Sequence, residues 1–231
     1  MYSQDQLKQH AATAAVDYLL PMLTPDTLLG IGTGSTVDVF IDTLAQHKHL
    51  FKAAVSSSER STLRLQQHGI TVLDLNDVDS MDWYIDGADE ITHHLHMTKG
   101  GGGALTREKI VASVAKHFLC IVDQSKVVEQ LGAFPLPIEV IPMARRIVTQ
   151  RLEAIGGRVV WREGFVTDNG NSILDVHGLQ ITAPAQLEAQ INDIPGVVCC
   201  GLFAITGASI ALVAGQDGVT TLSPRCHNAV V

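Results

Sequence analysis

TLLGIGTGSTVDVFIDTLA, residues 27–45, runs from an apolar stretch through a glycine-rich turn into a segment of helical periodicity. Thr27–Ile31 reads as a buried strand and Thr36–Ala45 as the helix that follows it, one βα unit. Working outward, the unit repeats. Leu7–Leu20 has the spacing of an opening helix, and Lys52–Val55 and Thr71–Leu75 read as strands around a helix at Glu59–His68. Trp83–Ile85 and Phe118–Val122 read as buried strands flanking a helix at Leu105–His117. Strands that alternate with helices build a parallel sheet covered on both faces, so residues 1–136 are expected to form a Rossmann-like α/β body.

The rhythm changes after Asp123. Residues 134–137, FPLP, read as an extended hinge, because proline disfavours helix at the residue before it. Beyond it Ile138–Ile141, Arg158–Trp161, Ser172–Val176 and Val197–Leu202 read as strands, with helices at Met143–Ile155 and Ala185–Ile194. The order β-α-β-β-α-β is that of a ferredoxin-like α+β unit, expected over residues 137–204. Residues 205–222 alternate apolar runs with glycine turns and are expected to return to the first sheet. The aperiodic tail 223–231 is expected to be disordered.

The 231 residues are 46% hydrophobic and 17% charged, which suits a packed globule and excludes a disordered chain. Asp and Glu outnumber Lys and Arg 24 to 16, a net charge of −8 that argues against a nucleic-acid or anionic-membrane partner. No apolar run is long enough for a membrane span, and the opening MYSQDQLKQH lacks the order of a secretory signal, so a cytoplasmic location is expected. Cys120, Cys199, Cys200 and Cys226 show no CxxC spacing and read as small core residues, not as disulfides or a zinc site.

Four segments carry candidate chemistry. Gly30–Thr36 sits between a strand and a helix, where amides and the hydroxyls of Thr33, Ser35 and Thr36 can cradle a phosphate; the alternative is an ordinary tight turn. No Gly-Lys-Ser/Thr follows, and Ser56–Ser58 stands where a dinucleotide fold places an acid, so a small phosphorylated metabolite fits better than ATP or NAD. In YIDGADE, residues 84–90, a strand runs into clustered carboxylates, which places Asp86 and Asp89 at the same sheet edge. An Asp-Gly turn with a helix cap is the alternative there. A metal is not expected, because His93, His94 and His96 have no ligand spacing.

Lys99 precedes four consecutive glycines, Gly100–Gly103, a costly run that marks a flexible loop or close backbone approach. On the helix after it, Glu108 falls within the arc of Ala104, Leu105, Val111, Ala112 and Ala115, with Lys109, Ser113 and Lys116 opposite. A carboxylate on a core-facing stripe needs a partner or a raised pKa, which makes it a candidate general base; a first-turn glutamate complementing the helix dipole is the bland reading. Lys126 in DQSK, and Lys8 near the start, are candidate anion-binding lysines.

GIGTGST, VSSS, DGADE, KGGGGALTREK, DQSK, FPLPIEVIPMA, VTDNGNSILDVHG and IPGVV with GLF together resemble the A-type ribose-5-phosphate isomerases of the pentose phosphate pathway. The resemblance runs from the opening helix to Leu222. It implies a Rossmann-like catalytic domain (1–136 and 205–222) with a ferredoxin-like lid (137–204), no metal or other cofactor, a pentose phosphate substrate and a homodimer. By matching motif it implies Glu108 as the base, Asp86 and Asp89 as the acidic pair at the sugar hydroxyls, and Lys99 binding substrate; the chemistry of an aldose–ketose exchange then expects Asp86 to shuttle protons on the oxygens, Asp89 to hold hydroxyls and Lys99 to stabilise oxyanion charge. Thr33, Gly34, Ser35 and Thr36 would form the phosphate loop. Gly87, Ala88, Gly100, Gly101, Gly102, Lys126 and Lys8 would complete the substrate site. Gly103 and the tail depart from the pattern. Two other classes share such a body: a sugar-phosphate-sensing repressor, for which some 26 residues before the first strand are too few to hold a helix-turn-helix, and an acyl-CoA transferase with a nucleophilic glutamate.

Overall fold

The computed structural model describes residues 1–224. Ser223 and Pro224 have no regular structure, and the rest of the expected disordered tail, with Cys226, lies outside the described residues. Helix α1 (Gln4–Leu19) opens the chain under a reciprocal cap, the Ser3 hydroxyl accepting from the Gln6 amide and the Gln6 side chain from the Ser3 amide. Strand β1 (Leu28–Ile31), α2 (Ser35–Leu44), β2 (Ala53–Ser56), α3 (Glu59–Gln67) and β3 (Met81–Asp86) follow. Then come β4 (Glu90–Ile91), β5 (Met97–Thr98), α4 (Leu105–Val114) and β6 (Ala115–Asp123). The second unit is β7 (Leu136–Val140), α5 (Arg145–Ala154), β8 (Arg158–Trp161), β9 (Ser172–His177), α6 (Pro184–Asn192) and β10 (Val197–Cys200). Short β11 (Leu202–Phe203) leads back to β12 (Ile210–Gly215) and β13 (Gly218–Leu222).

The main sheet has the order β13-β12-β6-β3-β1-β2 and is parallel except for β13, which returns antiparallel on β12. Period-two alternation feeds two cores from one strand: Leu119 and Ile121 pack with α1 and α2, while Phe118, Cys120 and Val122 pack on the α4 side. The chain leaves β1 for β2 on one side and β3 lies on the other, so the loops after β1 and β3 diverge. That switch point is where open α/β sheets bind ligands. The second unit is an antiparallel sheet of order β10-β7-β9-β8 with its own core against α5 and α6, a ferredoxin-like arrangement.

Several expected elements differ. Thr71–Leu75 is no strand; one bridge, Ala54 to Val72, survives before Asp74 caps a 3₁₀ turn at Leu75–Asp77. The helix at 105 stops at Val114, not His117, because Ala115 and His117 pair with Met81 and Trp83 of β3. Ala115 therefore leaves the helical arc. Val197–Leu202 breaks at Gly201: β10 stays with β7, whereas Leu202 and Phe203 pair with Thr98 and Met97. The helix expected from Met143 begins with a 3₁₀ turn at Pro142–Ala144, and the one expected at Ala185–Ile194 spans Pro184–Asn192. Among the described residues no helix is long and apolar enough to cross a membrane.

Candidate active site

Tyr84 and Asp86, two residues apart on β3, project to the same face of the sheet, and Gly30 and Gly32 lie beneath them. A Cβ on Gly32 would sit 1.9 Å from the Asp86 Cγ, and one on Gly30 2.9 Å from the Tyr84 ring. These two glycines therefore make room for side chains, not for a ligand. Only Gly34, at φ +131°, turns the chain into α2 with no side-chain cap, leaving the amides of that first turn open. The Thr33 hydroxyl is already engaged, donating to Ser58 Oγ at 2.7 Å.

Asp86 is fully buried and its oxygens are taken. Oδ1 accepts from the amides of Thr33 (3.1 Å) and Gly87 (2.7 Å), and Oδ2 accepts from the Tyr84 hydroxyl (2.5 Å) and lies 2.7 Å from Lys99 Nζ. Lys99 arrives from β5, its amide bonded to Gly201 O and its ammonium donating to Gly87 O at 2.6 Å. Burial would lower the Lys99 pKa, but the charges of Asp86, Glu108 and Asp89 outweigh it and raise it.

Glu108 enters from the first turn of α4. It is 4% exposed, and Oε2 lies 3.3 Å from Lys99 Nζ without hydrogen-bond geometry, so that atom is a buried acceptor with no hydrogen-bond partner. Burial, then the charge of Asp86, push the Glu108 pKa up to about 8 against the opposing pull of Lys99. Asp89 accepts the Gly101 amide at 2.7 Å, and its pKa is raised by burial against the pull of Gly101, Lys99 and Lys126.

A cavity of about 390 Å³ joins these parts. Thr33–Thr36 form one end with Lys8, Lys126 and Ser125; Asp89, Lys99 and Glu108 form the other, with Gly87, Ala88 and Gly100–Gly102 between. Every expected site residue lines it except Asp86, which is fully buried and paired with Lys99. Gln4 and Val37 also line the cavity and carry no motif that would have singled them out, whereas Asp123 and Ser125, which line it too, belong to the DQSK segment. Gly103, the apparent departure, is required: at φ +81° it lies under the Phe165 ring, 2.2 Å from where a Cβ would be. Among the described residues no group of three His, Cys, Asp or Glu side chains is arranged to hold a metal.

A buried lysine between two carboxylates, facing a helix N-terminus across a pocket of metabolite size, has relatives. The family model for ribose 5-phosphate isomerase A (phosphoriboisomerase A) matches residues 53–218. The chain belongs to that family. A ribose-5-phosphate isomerase A of Bordetella avium is 60% identical, the match covering 96% of this chain and all of the relative; one of Bordetella petrii is 61% identical over 96% and 99%. The crystal structure of ribose 5 phosphate isomerase A from Neisseria gonorrhoeae superimposes with a TM-score of 0.93 at 44% identity, over 97% of this chain and 99% of that one. Membership makes the chain an isomerase, and the Rossmann-like sheet with its ferredoxin-like unit is the architecture these structures share.

Proposed function

We propose that the chain interconverts D-ribose 5-phosphate and D-ribulose 5-phosphate through an enediolate, with Glu108 as the base and no metal or other cofactor. The observation that carries this is Glu108, a buried carboxyl on the cavity wall whose Oε2 lies 3.3 Å from Lys99 Nζ. A solved D-ribose-5-phosphate isomerase at 34% identity and TM-score 0.90 is in complex with phospho-erythronic acid, an anionic sugar-acid phosphate in keeping with a cavity of this polarity.

In this reading the phosphate takes the open amides of Ser35 and Thr36, with Lys8 and Lys126 supplying charge in an otherwise acidic protein. Glu108 removes the C2 proton of the open-chain aldose. The C–H electron pair forms the C1–C2 double bond and the carbonyl oxygen O1 takes up the charge beside Lys99; the O2 hydroxyl proton then passes to O1, and as the C2 carbonyl forms Glu108 returns its proton to C1. Asp89, which lines the cavity, receives the sugar hydroxyls. Asp86 acts behind it, keeping Lys99 charged and aimed. A cytoplasmic homodimer completes the proposal; apolar Ile141, Met143 and Ile147 are exposed surface that a second copy would cover, and a solution mass of twice the chain tests it.

Glu108→Gln, assayed with EDTA present, tests the reading. Wild-type activity survives chelation, the variant loses turnover and C2 hydrogen exchange together, and substrate affinity stays within about tenfold because the amide keeps the shape without the basicity. Retention of more than about a tenth of wild-type activity overturns it, since general-base catalysis contributes about 10²–10⁴-fold.

A further inference from the structure

Glu139 is fully buried on β7, yet the four groups that donate to it are all neutral. Oε1 accepts from the Thr167 hydroxyl (2.9 Å) and the side-chain amides of Asn169 (3.2 Å) and Asn171 (2.8 Å); Oε2 accepts from the Thr106 hydroxyl. With three donors on Oε1 and one on Oε2, neither carboxyl oxygen is left without a partner. Burying such a charge without a cation is expensive unless every site is met. Three of the donors belong to one turn of the ferredoxin-like unit. The fourth stands on the first turn of α4, two residues before Glu108.

The same stretch of that unit grips everything between Lys99 and Glu108. Arg162 donates to the carbonyls of Gly100 (3.3 Å) and Gly101 (3.1 Å), the Phe165 ring lies on Gly103, and Arg107 donates to Asn169 Oδ1 and Asp168 O, each at 2.9 Å. Glu108 Oε2 has the Lys99 ammonium at 3.3 Å and no closer partner, so the backbone that carries Glu108 decides how it faces that charge and the cavity.

We infer that Glu139 is a positioning residue for the isomerisation: it binds the 167–171 turn to Thr106 and so holds α4 where Glu108 meets the substrate carbon. This rests on Glu108 being the base. Glu139→Gln keeps the volume but replaces one accepting oxygen by an amide nitrogen, which opposes the Asn169 and Asn171 amides at the Oε1 place and at the Oε2 place turns the bond to Thr106 round, and Thr106→Val removes only the hydroxyl on the α4 side.

With the folded fraction measured by circular dichroism, Glu139→Gln lowers kcat about ten- to a hundredfold, the size of a misplaced reacting group. KM stays within about threefold and the rising limb of kcat/KM against pH moves. Thr106→Val changes the same quantities in the same direction by less, and the double variant is no slower than Glu139→Gln alone, as partners in one contact require. Arg158→Ala, on the exposed end of β8, leaves kcat unchanged. A lower melting temperature with wild-type kcat and pH limb in either variant overturns the proposal and leaves Glu139 a packing residue. If Glu139→Gln does not fold, Thr106→Val alone decides. An inactive Glu108→Gln beside a fully active Thr106→Val keeps the base and removes its positioner; activity surviving in Glu108→Gln overturns both.

Discussion

The two ends of the cavity are built by opposite means. At the end assigned to phosphate, donors come from the consecutive residues Ser35 and Thr36 at the open start of α2, with half-buried Lys8 and Lys126 beside them. At the other end, Asp86, Lys99 and Glu108 come from separate segments, and none is more than 4% exposed. Holding an anion needs aligned dipoles, which one turn supplies; tuning a carboxyl to take a carbon-bound proton needs a dry, charged enclosure, which only tertiary packing makes.

Lys99→Met strikes hardest at the second kind of construction. It leaves buried Asp86 without its cation, and breaking a buried pair this way costs about 3–5 kcal/mol, readable in urea unfolding. Because Lys99 also holds the Glu108 pKa down, its loss drives that pKa further up, so the little activity left appears only at higher pH. A variant as stable as the parent with more than about a tenth of its kcat would show that the buried triad is not the working end.

The same contrast explains what could be read from the sequence. The glycine turn after β1 and the alternation of strand and helix are local, and they were legible. So was the burial of Glu108, because a carboxylate within an apolar arc contradicts its surroundings. The depth of Asp86 was not, since the glycines that admit it, Gly30 and Gly32, resemble ligand-cradling glycines and only the pairing of β1 with β3 shows whose space they make. Glu139 carried a faint signal, a charge between Ile138 and Val140 on a buried strand, but its donors lie about 30 residues on either side, at Thr106 and in the 167–171 turn. Tyr84 is apolar enough to pass as core until its hydroxyl is seen on Asp86.

Milder changes separate the phosphate end. Ser35→Ala and Thr36→Ala keep the amides but remove hydroxyls that add to them at the phosphate, so each raises KM about tenfold, the loss of one charge-assisted hydrogen bond, with kcat altered by less than about threefold. Thr33→Ala has a smaller effect on KM, because that hydroxyl donates to Ser58 and its amide, which the substitution keeps, bonds Asp86. Unphosphorylated ribose is correspondingly a poor substrate. Equal kcat/KM for ribose and ribose 5-phosphate would erase the distinction between the two ends.

The gentlest probe is pH, and it tests the enclosure rather than any one contact. Glu108 must be ionised to accept a proton, so with its pKa at about 8 the wild-type kcat/KM climbs roughly tenfold per unit below that value and levels above it. Lys99 adds no falling limb below the ordinary lysine range, because its pKa is raised. Stability moves the other way. A carboxyl whose folded pKa exceeds its ordinary value of 4.5 binds its proton more tightly when folded, so this group's contribution is most favourable below 4.5 and declines as pH rises to about 8. Glu108→Gln removes that decline, and urea melts of the two proteins at about pH 5 and pH 9 should converge at the acid end and favour the variant at the alkaline end. A rising limb near the ordinary glutamate value, with no gain in alkaline stability for Glu108→Gln, would mean that the buried end does not strain its base, and that the two ends differ in depth but not in kind.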